Sequence, residues 1–461
     1  MKTSRLVVLA VLVVALGAWI LLVERHMPTT DQAKQRADKV FPDFDRDAVT
    51  GLEIHNAHGD FTLEKRDGDW YLTAPIETRA DDTSVGSLLT ALGNLKVNRS
   101  LGRDEVDPTA YGLDEPEIRV TLTGKDGGHW ELAVGSKTAL GSDRAVSRGD
   151  GNVLITTGWF VTDLDRGLDD WRSRDVVDLF ADQVADLKIL KKGKDRIEVV
   201  RDGGLWKLLE PLEDLADRTH VEDLIADLNA LRVKTFLDGD TDPAELGLDR
   251  PRYVVTIVRT EGKAPVRLEF GRVEERDGSK QVACRRDGKD LFWVGDNAEL
   301  RLGRAPVLWR SHVLYPFSSW DVEKVAFSSG DTTVELERKD GVWKTADGGD
   351  ADGAEVLRRL NALASMKALD FDLVRTGTPE IGRITLTLSA DGGQDKPRKV
   401  TFTFQEPFTA GGRALAVVDA RDTVMSVDRD GAAKLFENLD ALRGVEPTPS
   451  PSPPPGDGND G

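Results

Sequence analysis

The chain has 461 residues, with 62 Lys and Arg against 81 Asp and Glu, for a formal net charge of −19. At about 150 residues per domain this length allows roughly three domains, and a polyanion without a basic run is repelled by a phosphate backbone, which excludes ordinary nucleic-acid binding. Apolar residues make up 39%, too few for a multi-span membrane protein, and the single Cys284 excludes an intramolecular disulfide framework and a Cys-rich zinc site.

Residues 1–5 form a stub carrying Lys2 and Arg5, and residues 6–23 then run without a charge up to Glu24-Arg25-His26. Such a run covers about 27 Å at helical rise, close to the hydrocarbon core of a bilayer. It is expected to be a transmembrane anchor contacting lipid, with the basic stub cytoplasmic and everything after Val23 outside. A cleaved signal peptide is the competing reading, with Ala15-Leu16-Gly17 as its small-residue site, although apolar residues continue through Trp19-Ile20-Leu21-Leu22-Val23. Residues 24–46 read as a linker. At the far end, residues 445–461 are rich in proline and nearly devoid of apolar side chains, which predicts a disordered, semi-extended tail.

Between these ends the chain repeats itself. Trp70, Trp206 and Trp343 lie 136 and 137 residues apart, and their surroundings recur as GDWYLTAPIETRADD, GLWKLLEPLEDLADR and GVWKTADGGDADG. The first two carry Pro75 and Pro211; the third has no counterpart. DPTAYGLDEP (107–116) matches DPAELGLDRP (242–251), again with no third copy, and the copies close on Trp171-Arg172, Trp309-Arg310 and Leu442-Arg443. Three tandem domains are expected: 47–180, 181–318 and a divergent 319–444.

Within each copy, two-residue alternation at Leu52-Glu53-Ile54, Phe61-Thr62-Leu63 and Val334-Glu335-Leu336 predicts antiparallel hairpins with one buried face. After the tryptophan, Val85, Leu88, Leu89, Leu92 and Leu95 fall at helical spacing. Val221, Leu224, Ile225, Leu228 and Leu231 repeat the stripe, and Val356, Leu360, Leu363 and Met366 echo it. Later strands are read at Ile118–Leu122, Tyr253–Ile257, Val153–Ile155 and Leu291–Val294. The expected class is α+β, mostly antiparallel, with about two helices per copy.

The W-x-L-x-x-P…A-D opening, the Leu-rich helix, the G-L-D-x-P segment and the N-terminal anchor resemble a bacterial family of unknown function, DUF 4340. The resemblance runs from about residue 47 to 444, strongest in the first two copies. It implies an extracytoplasmic accessory protein at the bacterial inner membrane, with a periplasmic body and envelope partners such as an ABC-type exporter or gliding-motility-like components. The family supplies no catalytic residues to carry over, so the resemblance implies neither a cofactor nor an enzyme.

The candidate site residues have structural readings beside their chemical ones. Asp81, Asp217 and Asp352 each open the repeat helix, where a short carboxylate caps orphan N–H groups for about 1 kcal/mol. Trp70, Trp206 and Trp343 are expected in the core, although a tryptophan can also stack on a sugar. Arg172 and Arg310, after Trp171 and Trp309, are expected to tie a helix end to its neighbour. Asp43–Asp47 and Asp238–Asp242 begin like calcium loops, yet Ala48 and Pro243 replace the turning glycine. His55 and His58 with Asp60 are the one close histidine pair, a weak metal or hydrolase candidate in an expected hairpin. Walker A, G-x-S-x-G and G-x-G-x-x-G patterns are absent. The leading expectation is therefore a non-enzymatic binding or scaffold protein. The rivals are an envelope glycan- or peptide-binder using Trp159 and Trp293 as surface platforms, and, remotely, a hydrolase.

Overall fold

The computed structural model describes residues 37–444 apart from 103–105, 139–140, 193–194, 375–376, 390–396 and 408–411. They form three antiparallel sheets with few helices, mostly β with some α. Each copy has one long helix and, after it, one or two short α-helical segments: Val161–Leu164 and Leu168–Trp171, Glu299–Leu302, and Arg429–Lys434. The expected anchor and the C-terminal tail lie outside the described residues, among which no helix is long and apolar enough to cross a membrane. The chain divides into two compact units, Met1–Arg174 and Asp175–Gly461.

The first unit is built on strands β1 (Val49–Asn56), β2 (Gly59–Arg66), β3 (Asp69–Ala74), β4 (Thr78–Arg79), β5 (Arg99–Leu101), β6 (Ile118–Gly124), β7 (His129–Lys137), β8 (Asp143–Ser147) and β9 (Val153–Thr157). They pair in the order β4-β3-β2-β1-β6-β7-β8-β9-β5. Alternation sends Leu52, Ile54, Phe61 and Leu63 to one face, where α1 (Asp82–Asn94) lays down Val85, Leu88, Leu89 and Leu92. Each such side chain contributes about 1.5–3 kcal/mol when fully buried. Val40 and Phe41 also enter this core, so the C-terminal end of the expected linker is packed structure.

The opposite face of the sheet is covered by the G-L-D-x-P segment. Asp107 accepts from the Thr109 amide to open a short 3-10 turn, and Gly112 closes it in the left-handed region at φ 68°. The segment lies so close to β7 that a Cβ on Gly135 would stand 2.2 Å from the Tyr111 carbonyl oxygen. Leu113 and Tyr111 thereby join Leu101, Ala145, Val153 and Ile155 in a second, smaller core.

In the second unit, the first sheet repeats the nine-strand order strand for strand, with α2 (Arg218–Asn229) on its buried face. Leu246 and Leu248 cover the other face, and a Cβ on Gly271 would stand at the same 2.2 Å from the Leu246 carbonyl oxygen. The last sheet has seven strands, with α3 (Gly353–Ser365) packed on it. The positions of β4 and β5 are reduced there to single bridges, Lys344–Asp350 and Asp370–Ser426.

Candidate functional site

The repeated residues converge on one backbone knot in every copy. The amides of Ala80, Ala216 and Ala351 donate to the carbonyls of Trp70, Trp206 and Trp343 at 2.9, 2.9 and 3.1 Å. The next amides, of Asp81, Asp217 and Asp352, donate to Trp171, Trp309 and Leu442 at 2.8, 2.8 and 3.1 Å. The aspartate side chains then cap the helix: Asp81 accepts from Ser84 N at 2.6 Å, Asp217 from His220 N at 2.8 Å, and Asp352 from Ala354 N and Glu355 N at 3.1 Å. The Ala-Asp dipeptide thus ties strand, helix and closing turn together. Trp70, Trp171, Trp206, Trp309 and Trp343 are all buried around it. Pro75 and Pro211 follow cis peptide bonds just beyond the tryptophan strands.

A second repeated device carries no sequence signature. In each copy an arginine at or just past the end of a strand holds the carbonyls of the chain entering that copy. Arg148 donates to Val40 O at 3.0 Å, and Arg286 to Asp175 O and Val176 O at 3.2 and 3.0 Å. Arg421 donates to Val313 O and Leu314 O at 2.8 and 3.2 Å. Arg421 stands three residues beyond the position of the other two, which hides the equivalence from an alignment by eye.

Around Arg421 the second unit buries an ionic cluster joining its two sheets. Asp214 accepts from Arg421 Nε and Nη2 at 2.7 and 2.9 Å and from Arg310 Nε at 2.8 Å. The Asp214 and Arg421 side chains are wholly buried, and that of Arg310 nearly so. Arg310 also pairs with Asp372, which its hydrogen bond holds below the usual carboxylate range, and lies 4.3 Å from the Phe371 ring centroid. Arg310 therefore ties far more than a helix end, while Arg172, also buried, bonds to Asp169 at 3.4 Å. Leu215, next to Asp214, enters the core of the last sheet.

His220, Cys284 and the His55–His58 pair stand outside that cluster. His220 sits edge-on to Trp309 at 4.4 Å, and its Nδ1 accepts from Arg304 at 2.5 Å. Burial first, then the Arg304 charge, hold its pKa down to about 4. Cys284 is fully buried on the strand Ser279–Arg286, and burial pushes its thiol upward, away from the reactive thiolate. His55 and Asp60 are cross-strand partners joined at 2.5 Å, whereas His58 faces Asp165 at 3.7 Å. The two histidines thus take different partners. Among the described residues no three His, Cys, Asp or Glu side chains are grouped to hold a metal ion. Asp45 and Asp242, from the two calcium-like loops, accept from the amides of Asp47 and Ala244 as caps.

Three open cavities are notable, the first of them beside the knot of the third copy. One of about 670 Å³ lies between Thr333, Glu335, Asp350 and Arg443. Another, of about 450 Å³, runs beside α1 under Trp159, with Arg46, Thr90, Asn94 and Asp163. Trp159 is 53% exposed, as a stacking platform requires, but Trp293 is 2% exposed and cannot serve as one. The third, about 740 Å³, opens on the second face of the first sheet at Arg99, Tyr111, Lys137 and Ile155.

Residues 70–251 and 240–381 each match the family described as Domain of unknown function (DUF4340). The first match starts at Trp70 and ends on Pro251 of the second G-L-D-x-P segment, so the family's unit crosses from one copy into the next. No curated protein matches the chain.

Proposed function

The chain belongs to the DUF4340 family, and from that premise we propose that it is a non-enzymatic, membrane-anchored binding or scaffold protein of the bacterial envelope. Residues 6–23 hold it in the inner membrane, and three tandem homologous domains stand outside. Its partners are envelope proteins, with an ABC-type exporter or a gliding-motility-like system the leading candidate. The observation that supports this reading most is how the recurring polar residues are spent. Asp81, Asp217 and Asp352 cap helices, and Arg148, Arg286 and Arg421 clamp entering chain. Repetition has multiplied surface rather than a reactive constellation. Purifying the full-length protein from its native membrane after crosslinking tests it: transporter permease or ATPase subunits attached to the chain are the expected result. A clean monomer refutes the scaffold.

A second reading, capture of an envelope glycan, is favoured by the exposed Trp159 beside hydroxyl and amide side chains. Replacing Trp159 by Ala abolishes glycan binding under this reading and leaves partner crosslinks unchanged under the first.

A further inference from the structure

The second faces of the first two sheets are built from matching residues, and one of them differs sharply. Strand register aligns Leu101 with Leu237, Ala145 with Ala283, Val153 with Leu291 and Ile155 with Trp293. The G-L-D-x-P segments add Tyr111 and Leu113 opposite Leu246 and Leu248. In the second copy the Trp293 indole fills this site, with the Arg276 guanidinium 4.7 Å from its ring centroid. In the first copy Ile155 takes that place, is only half-buried, and borders the 740 Å³ cavity.

We infer that the cavity at Ile155 receives an aromatic side chain of indole size, carried on an extended peptide segment of a partner protein. Leu101, Tyr111 and Ile155 give the cavity an apolar side, Asn98, Ser136 and Asp143 line the rest, and the exposed Arg99 and Lys137 supply cations that can face the incoming ring. The homologous site shows what such a floor accommodates, because there the fold itself supplies the indole. The volume exceeds that of one ring and leaves room for flanking main chain. Its wall at Arg99–Leu101 is β5, the terminal strand of the sheet, and among the described residues no strand pairs with its outer side. An extended segment laid along that edge adds main-chain hydrogen bonds and drops one side chain into the cavity, the usual mode of strand addition. That the ring arrives on a partner rests on the scaffold reading; the cavity's selectivity for the ring does not.

The test is a ¹⁹F NMR titration of the full-length chain with N-acetyl-5-fluorotryptophanamide, a probe whose signal is free of the protein's own tryptophans. Saturable binding is expected, displaced by unlabelled N-acetyl-tryptophanamide and unaffected by N-acetyl-alaninamide. Ile155→Trp should fill the cavity as the second copy does and weaken binding at least about tenfold. Ala110→Trp, at an exposed rim position where folding is not at stake, should do the same. Absence of saturable binding, or equal binding by both variants, overturns the site. Binding of 5-fluoroindole as tight as that of the amide overturns the peptide-borne occupant. Missing partners in the membrane crosslinking experiment would instead count against the scaffold reading and the partner as carrier of the ring, and would leave the cavity's selectivity standing.

Discussion

Asp214→Ala is the most informative single perturbation of the second unit. The carboxylate is wholly buried and bonded to Arg310 and Arg421, so its loss leaves cationic groups facing a void. Removing one partner of a buried pair costs about 3–5 kcal/mol, mainly because the surviving charge stays desolvated. Two features place this case at the lower end. Arg310 keeps Asp372, and Arg421 keeps the carbonyls of Ser311, Val313 and Leu314. A loss of about 3 kcal/mol lowers the folding equilibrium constant roughly 150-fold. The assay is urea unfolding of the full-length chain, read by the shift in midpoint at unchanged slope. A fluorescence probe on each of the two sheets should report the same midpoint shift, because the residues of the cluster come from both. In a cycle with Arg421→Met, the double variant should be more stable than Asp214→Ala alone, since an apolar side chain needs no counter-charge. A loss below about 1 kcal/mol, or strictly additive effects, refutes the reasoning.

Three further outcomes are expected. His220 titrates near 4 in the folded chain against about 6.5 unfolded, so its neutral form is the stabilising one. Its contribution of about 2–3 kcal/mol is complete above pH 6.5 and lost as pH falls toward 4, and His220→Gln should flatten that limb of a plot of urea midpoint against pH. Glu355, held near 2 by the hydrogen bond from Arg358 and then by Arg359, adds a lower limb in which stability falls from about pH 4.5 toward pH 2. Gly135→Ala forces a methyl against the Tyr111 carbonyl and should cost about 1–3 kcal/mol, with faster amide exchange confined to residues 107–116.

Much of the fold was legible because its periodicities are local. The stripe from Val85 to Leu95 and the alternation around Leu52 and Phe61 are written within one helix or one hairpin, and the structure follows them. The capping role of Asp81, Asp217 and Asp352 was readable for the same reason, since a cap acts across three residues. What the Ala-Asp pair does besides capping was not, because its partners Trp171, Trp309 and Leu442 lie about 90 residues further on. The carbonyl clamp at Arg148, Arg286 and Arg421 escaped altogether. An arginine bonded to a main-chain oxygen over 100 residues away leaves no constraint on the identity of its partner. Trp293, offered from its sequence as a surface platform, is core because the G-L-D-x-P segment folds over it, and only the tertiary path of that segment could show this.

Comparison of the copies with one another separates what holds the domain up from what an individual copy has acquired. At the position of Asp214, strand register places Thr78 in the first copy, a residue that demands no buried arginine. At the position of Trp293, the first copy has Ile155 and the last has Ser426, which bonds to Asp370. One fold position is thus an open apolar site, a filled core and a polar bridge in turn. The knot of Ala, Asp and the closing turn, at the other end of the sheet, stays the same throughout. The backbone ties are compatible with all three fillings, so the fold shared by the copies does not by itself dictate the residue at that position. Its identity can then follow what each copy must contact, so the function of the chain is best sought at Ile155, where the position is open, rather than in the signature that reveals the repeat.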